Sequence, residues 1–215
     1  MQEDAMKRIA MLCFLWILTV ASMVARAEPV KPDVLIKNIA HDVLAVVKQE
    51  GGDPAGNRER LLAMVDTKVL PHFDFVRMTR LATGKNWRRA TPTQKQTLVT
   101  EFRNLLVNTY TNAFARYQNQ TVEVMPVETH ADVDEVTVKT LILKPDEQRI
   151  TVDYELKRTP DGWKVFDFTV EGVSLIVVYR SVFTREVKQG GIERLIKTLA
   201  EKNAANNAAH QRMEN

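Results

Sequence analysis

Trp163-Lys164-Val165-Phe166-Asp167-Phe168-Thr169-Val170-Glu171-Gly172-Val173-Ser174-Leu175-Ile176-Val177-Val178-Tyr179-Arg180-Ser181-Val182-Phe183 is the stretch whose reading decides the fold. Val165, Phe166, Phe168 and Val170 are β-favouring, so the first part reads as a strand. Its large apolar residues fall at both parities, which predicts that neither face is freely solvated. Glu171-Gly172 then turns the chain and Ser174 can cap a helix, on which Leu175, Val178, Tyr179, Val182 and Phe183 recur at helical spacing. A strand and a helix, both with apolar surface to bury, meet at this corner and can form the floor and wall of a cavity.

Upstream, period-two segments lead into the corner. Val122, Val124 and Pro126 sit on a short strand, Val136, Val138, Thr140 and Ile142 define one face of a second, and Ile150, Val152, Tyr154 and Leu156 one face of a third. Before them the period is helical. Thr91-Pro92-Thr93-Gln94 is a capping box with proline in the first turn. Behind it Leu98, Phe102, Leu105, Leu106, Tyr110, Phe114 and Tyr117 form a stripe on a long helix. Pro32 opens a first helix that Gly51-Gly52 ends, a second runs from about Asn57 towards Pro71, and Asp74 caps a short third that Gly84 terminates. After Phe183 the helix is expected to run to Lys188 and break at Gly190-Gly191, with a last amphipathic segment from Ile192 to Leu199. Helices, then four strands, then more helix is an α+β pattern. Residues 28–200 read as one domain, and 201–215 as a polar, disordered tail.

The first 27 residues stand apart. Lys7 and Arg8 precede an apolar run from Ile9 to Val20, and Ala25-Arg26-Ala27 offers small residues before a cut after Ala27. That is a secretory signal peptide. Its 12-residue apolar run falls short of the roughly 20 needed to span a bilayer. Export removes Cys13, the single cysteine, so the mature chain has no thiol for disulfides, nucleophilic catalysis or metal thiolates. The formal charge falls from +3 to +2 on cleavage, and with no long basic run nucleic acid is not the expected partner.

Other chemistry is mostly excluded. Ser174 lies in Gly172-Val173-Ser174-Leu175-Ile176, which lacks the second glycine of a nucleophile elbow. His41, His72, His130 and His210 are dispersed, without metal-site spacing, and the eight glycines match neither a P-loop nor a dinucleotide fingerprint. Asp167 and Glu171 remain. Two carboxylates beside an apolar pocket can act as acid and base, or they can simply bond backbone and shape the turn.

What the chain has in surplus is large apolar surface. The aromatic stripe, the strand faces and the corner exceed what a small sheet needs. In an exported protein without catalytic groups this points to a carrier of something insoluble. Shielding an acyl chain of about fifteen carbons demands roughly 12 kcal/mol at ~0.8 kcal/mol per CH₂, hence an enclosed, dry pocket.

Several blocks carry a family resemblance: Pro71-His72-Phe73-Asp74-Phe75, Leu81-Ala82-Thr83-Gly84 with Trp87-Arg88, Ala90-Thr91-Pro92-Thr93-Gln94, Thr109-Tyr110, Trp163 to Asp167, and Glu171 to Leu175. In that order they resemble the MlaC (toluene-tolerance auxiliary) family of periplasmic phospholipid-binding proteins. The chain departs from the pattern at Val177 and Val178, where polar residues are common. The resemblance implies an NTF2-like, cystatin-like fold, with helices packed on a curved four-stranded antiparallel sheet that encloses an apolar pocket. It implies a monomeric, non-enzymatic carrier with no cofactor beyond bound phospholipid. It further implies that such a carrier shuttles lipid between an outer-membrane lipoprotein complex and an inner-membrane ABC transporter with an MCE-domain protein. Parity and spacing assign Phe102, Leu106, Tyr110 and Phe114 to one wall of the pocket. They assign Ile150, Val152, Tyr154, Phe166, Phe168 and Val170 to the sheet, and Val173, Leu175 and Tyr179 to the rim. The competing reading is an NTF2-like enzyme acting on a small apolar substrate with Asp167 as base; a structural adaptor with a filled core is a third.

Overall fold

A computed structural model describes residues 30–48, 54–115, 120–130, 132–143 and 149–214, apart from the side chains at 112–115 and at a few other segment ends. The signal peptide and the side chain of Phe114 lie outside the described residues. The chain forms α1 (Pro32–Lys48), α2 (Pro54–Met64), α3 (Phe75–Thr83) and α4 (Pro92–Ala115). Strands β1 (Thr121–Val124), β2 (Glu135–Leu143), β3 (Ile150–Thr159), β4 (Gly162–Val170) and β5 (Val173–Ser174) follow, and α5 (Leu175–Glu214) ends the described chain. The strands pair antiparallel in sequence order.

The sheet therefore has five strands rather than the expected four. Glu171 and Gly172, at φ 48° and 78°, make a two-residue turn that folds Val173 back onto Val170 and Ser174 onto Thr169. Positive φ at both central residues is what such a tight hairpin requires.

The helix starts follow their local chemistry. The Thr91 hydroxyl accepts from the Gln94 amide at 3.2 Å while the Gln94 side chain accepts from the Thr91 amide at 2.9 Å, a closed capping box. Asp74 accepts from the Arg77 amide at 2.8 Å. The last helix breaks where expected, with Gly191 at φ 73°. Beyond the break, residues expected to be disordered instead continue the helix to Glu214. Asn203 is buried there, its amide donating to the Glu101 carbonyl at 3.0 Å and its carboxylate at 2.7 Å. Alanines and this tertiary anchor outweigh the segment's polarity.

Helices α1, α3, α4 and α5 pack on one face of the sheet, whereas α2 packs on α1 and α4. Leu98, Phe102, Leu105 and Leu106 of α4 pack with Met78 and Ala82 of α3 and with Leu175, Ile176, Phe183, Leu195 and Leu199 of α5. A second cluster joins Leu35 and Ile36 of α1 to Val136, Val138, Leu156, Trp163 and Val165, and Phe73 touches both. Leu61 and Met64 of α2, with Val65 just after it, pack against Val43, Val46 and Val107. Completely burying one of these large apolar side chains contributes about 1.5–3 kcal/mol.

The apolar residues at both parities of β4 have a single cause. Leu156 pairs with Val165 but Glu155 pairs with Asp167, so Phe166 is an extra residue in a β-bulge. The bulge shifts the alternation by one. Trp163 and Val165 before it, and Phe168 and Val170 after it, consequently share the helix-covered face. The other face stays polar, with Thr137 donating to Glu155 at 2.9 Å. The β4 residues on that face, Lys164, Asp167 and Thr169, are half-buried, so neither face of the strand is freely solvated.

Candidate functional site

The register collects one set of ends at one end of the molecule. Thr121 at the start of β1 lies opposite Leu143 at the end of β2, Ile142 opposite Ile150, Val152 opposite Val170, and Val170 opposite Val173. The C-terminal half of α4 reaches the same region, because Tyr110 packs edge-on against Phe168 with ring centroids 5.2 Å apart. Tyr154 leans on the same Phe168 ring at 6.4 Å. On the α5 side, Phe102 meets Tyr179 at 4.8 Å and Phe183 at 5.0 Å, both edge-on. Such edge-to-face pairs contribute about 0.5–1.5 kcal/mol each beyond their buried area. The result is an aromatic seam between sheet and helices, running from Tyr154 through Phe168 and Tyr110 towards Tyr179, Phe102 and Phe183.

The seam is graded in exposure. Phe102, Leu106, Val152, Phe166 and Leu175 are buried, whereas Ile150, Tyr154, Phe168, Tyr110 and Tyr179 keep part of their surface accessible. Leu175, expected at the rim, belongs to the helix core. At the outer end stand Val170, Val173, Val177 and Val178, the last three 57%, 56% and 46% exposed. A run of solvated valines beside half-buried rings is what a soluble chain normally avoids.

The tyrosines carry the electrostatic signature of the seam. Burial pushes the Tyr110 phenol up to about 12, helped by Tyr179 across the seam. Burial alone pushes Tyr154 up to about 12 and raises Tyr179. The Tyr154 hydroxyl lies deep in the molecule, yet its side chain retains accessible surface.

The carboxylates have other duties. Asp167 accepts from the Phe168 amide at 2.8 Å, the Ile176 amide at 3.1 Å and the Ser174 hydroxyl at 2.5 Å. Ser174 in turn accepts from the Val177 amide at 3.1 Å, which makes it the cap of α5. Asp167 lies at the parity opposite Phe168, so this group holds the strand-to-helix corner rather than serving the seam. Glu171 accepts from both the amide and the hydroxyl of Thr151. Those bonds hold its carboxyl below the usual range, the reverse of what a general acid needs. Among the described residues no group of three His, Cys, Asp or Glu side chains could hold a metal ion, and no helix is long and apolar enough to cross a membrane.

Sequence reasoning missed Arg77, whose guanidinium lies 3.7 Å from the centre of the Phe166 ring while pairing with Glu135 at 2.8 Å. Its partners lie 58 and 89 residues away in sequence, and no local pattern announces them. Val178, expected on the apolar face of the last helix, is instead exposed, as is Val177 beside it.

A family model described as MlaC protein matches residues 37–201. The chain belongs to the MlaC family. A solved structure of a phospholipid-binding protein from Ralstonia solanacearum, in complex with a phospholipid, shares 34% identity and superposes with a TM-score of 0.73. The match covers 81% of this chain and 98% of that one. The toluene tolerance protein ttg2D of Pseudomonas putida is 28% identical over 111 residues, 52% of this chain and 51% of that protein. The chain thus spans about half the length of this curated relative. MlaC membership accounts for the arrangement of helices on one face of an antiparallel sheet.

Proposed function

We propose that this MlaC-family protein is a non-enzymatic, periplasmic phospholipid carrier, exported by cleavage after Ala27. The observation that carries the reading is the continuity of apolar surface, from the buried rings of Phe102 and Phe183, through half-buried Tyr110, Phe168 and Tyr154, to the exposed valines at the mouth. The phospholipid complex of the Ralstonia solanacearum structure supports it. Acyl chains part α4 and α5 from the sheet and lie along the seam, while the headgroup stays in water.

Transfer is a partition between two apolar environments. Each methylene leaving water contributes ~0.8 kcal/mol, so release requires a second apolar conduit abutting the mouth. An outer-membrane lipoprotein complex and an inner-membrane ABC transporter bearing an MCE-domain protein are the proposed donor and acceptor, with the protein working between them as a monomer. Phe102, Leu106, Tyr110 and Phe114 form the helix wall, Ile150, Val152, Tyr154, Phe166, Phe168 and Val170 the sheet wall, and Val173 and Tyr179 the rim. Native mass spectrometry of the purified mature protein, followed by organic extraction, tests the reading. Near-stoichiometric phospholipid is expected, and a protein that stays empty after incubation with phospholipid vesicles overturns it.

A further inference from the structure

Charge is unevenly spread along this chain. Of its 30 lysines and arginines and 27 aspartates and glutamates, residues 75–100 hold six bases and no acid, and residues 172–185 hold two bases and no acid. Everything outside these two segments carries 22 bases against 27 acids. The fold brings the two segments together. The amide of Asp74, just before α3, donates to the Val165 carbonyl at 2.8 Å, and the amide of Ile176 in α5 donates to Asp167 at 3.1 Å, so both helices leave neighbouring points of β4. Further along, the Arg180 guanidinium donates to the Leu81 carbonyl at 2.9 Å. Helix α3 and the start of α5 therefore run side by side in one direction. Met78 and Ala82 of the one and Ile176 and Phe183 of the other face the same core, so their exposed sides lie on a common surface. The turn Gly84–Arg89 continues that surface against α5.

Arg80, Lys85, Arg88, Arg89 and Arg180 stand exposed on it, and among the described residues none of them pairs with a carboxylate. Aliphatic side chains lie open between them. Val76 stands one turn before Arg80 on α3, and Val177 one turn before Arg180 on α5, both exposed. Unpaired cations call for anions, and open aliphatics for hydrocarbon; an anionic phospholipid bilayer supplies both within one surface layer. A bilayer also needs no matching groove, whereas a protein interface concentrates its affinity in a few anchors seated in pockets. We propose that the surface formed by α3, the turn Gly84–Arg89 and the first half of α5 docks the protein directly on an anionic membrane. Docking is a property of the outer surface, so it goes beyond the carrier reading and does not depend on it. Because Val173 and Val177 also border the mouth of the seam, docking sets that mouth against the headgroup layer.

The test is flotation of the mature protein with vesicles of phosphatidylethanolamine and phosphatidylglycerol, against vesicles of phosphatidylethanolamine and phosphatidylcholine. Each lysine or arginine close to an anionic surface raises partitioning about fivefold. Wild type should therefore bind the anionic vesicles at least about tenfold more strongly than the neutral ones, and the binding should weaken as salt is raised. Arg80→Gln/Arg88→Gln should lose about 25-fold. Lys31→Gln/Lys37→Gln, which removes two exposed charges at the start of α1, should stay within about twofold of wild type. Circular dichroism melts check that both double variants fold. No preference of wild type for anionic vesicles, or equal losses in the two double variants, overturns the docking face, the second result by reducing it to net charge. Binding to neither vesicle, with Arg80→Gln/Arg88→Gln still slower than wild type in accepting lipid from isolated membranes that carry their own proteins, overturns the membrane and gives the face to an acidic protein partner. Lipid extracted from the purified protein is scored separately, so a protein that docks but carries none leaves the face standing and removes the carrier reading.

Discussion

Asp167 offers the sharpest test of the corner on which the fold turns. Its carboxylate accepts two backbone amides and the hydroxyl of the helix cap, next to the N-terminus of α5. Asp167→Ala leaves three polar groups unpartnered at a half-buried position, each worth on the order of 1 kcal/mol, for a total of roughly 3 kcal/mol. In a protein of this size 1 kcal/mol moves the melting temperature by about 2–4 °C, so Tm should drop about 6–12 °C. Asp167→Asn keeps a neutral acceptor for both amides, and its NH₂ can donate to the Ser174 oxygen in place of the bond the carboxylate accepted, so the main loss is the charge at the helix terminus, about 0.5–1 kcal/mol. Its Tm should fall by no more than about 4 °C. Thermal melts by far-UV circular dichroism give both values, and lipid extraction well below the transition gives occupancy. Both variants should keep their lipid while folded. The reasoning fails if Asp167→Ala melts within about 2 °C of wild type, or if folded Asp167→Asn has lost its lipid, since the carboxylate would then serve the seam and not the corner.

Thr91→Ala opens the capping box of the long helix and should cost about 1 kcal/mol, read as a lower denaturation midpoint with an unchanged m-value. Tyr110 and Tyr154 hold their protons to about 12 in the folded chain, whereas an unfolded tyrosine gives its proton up near 10. Their stabilisation is therefore complete below about pH 10 and is lost as pH rises towards 12. Chemical denaturation across that range should show the decline, and Tyr154→Phe should flatten it. Val173→Asp and Val177→Asp, at positions 57% and 56% exposed, should leave stability within about 0.5 kcal/mol but slow lipid transfer to acceptor vesicles. A transfer rate equal to wild type in both would remove the valine rim from the mechanism.

Much of the fold was legible locally, wherever the signal sits within a few residues. The Thr91-Gln94 box, the Asp74 and Ser174 caps and the break at Gly190-Gly191 all appear as read. Features set by distant partners were not. β5 exists because Val173 folds back onto Val170, the disorder expected after Leu199 gives way to a helix anchored by Asn203 on Glu101, and Arg77 finds Phe166 and Glu135 only in three dimensions. Among the residues assigned to the pocket, spacing cannot separate Leu175, which is buried in the core, from Tyr179, which stays half-buried.

The sequence by itself determined the α+β class, the family and the two apolar surfaces that meet after Gly172, because periodicity, capping and turn chemistry act over a handful of bonds. The tertiary structure decided which side those surfaces share. The bulge at Phe166 depends on how β4 pairs with β3, and pairing is a long-range choice. It places Trp163 and Val165 on one face with Phe168 and Val170, and so gives the seam its sheet wall.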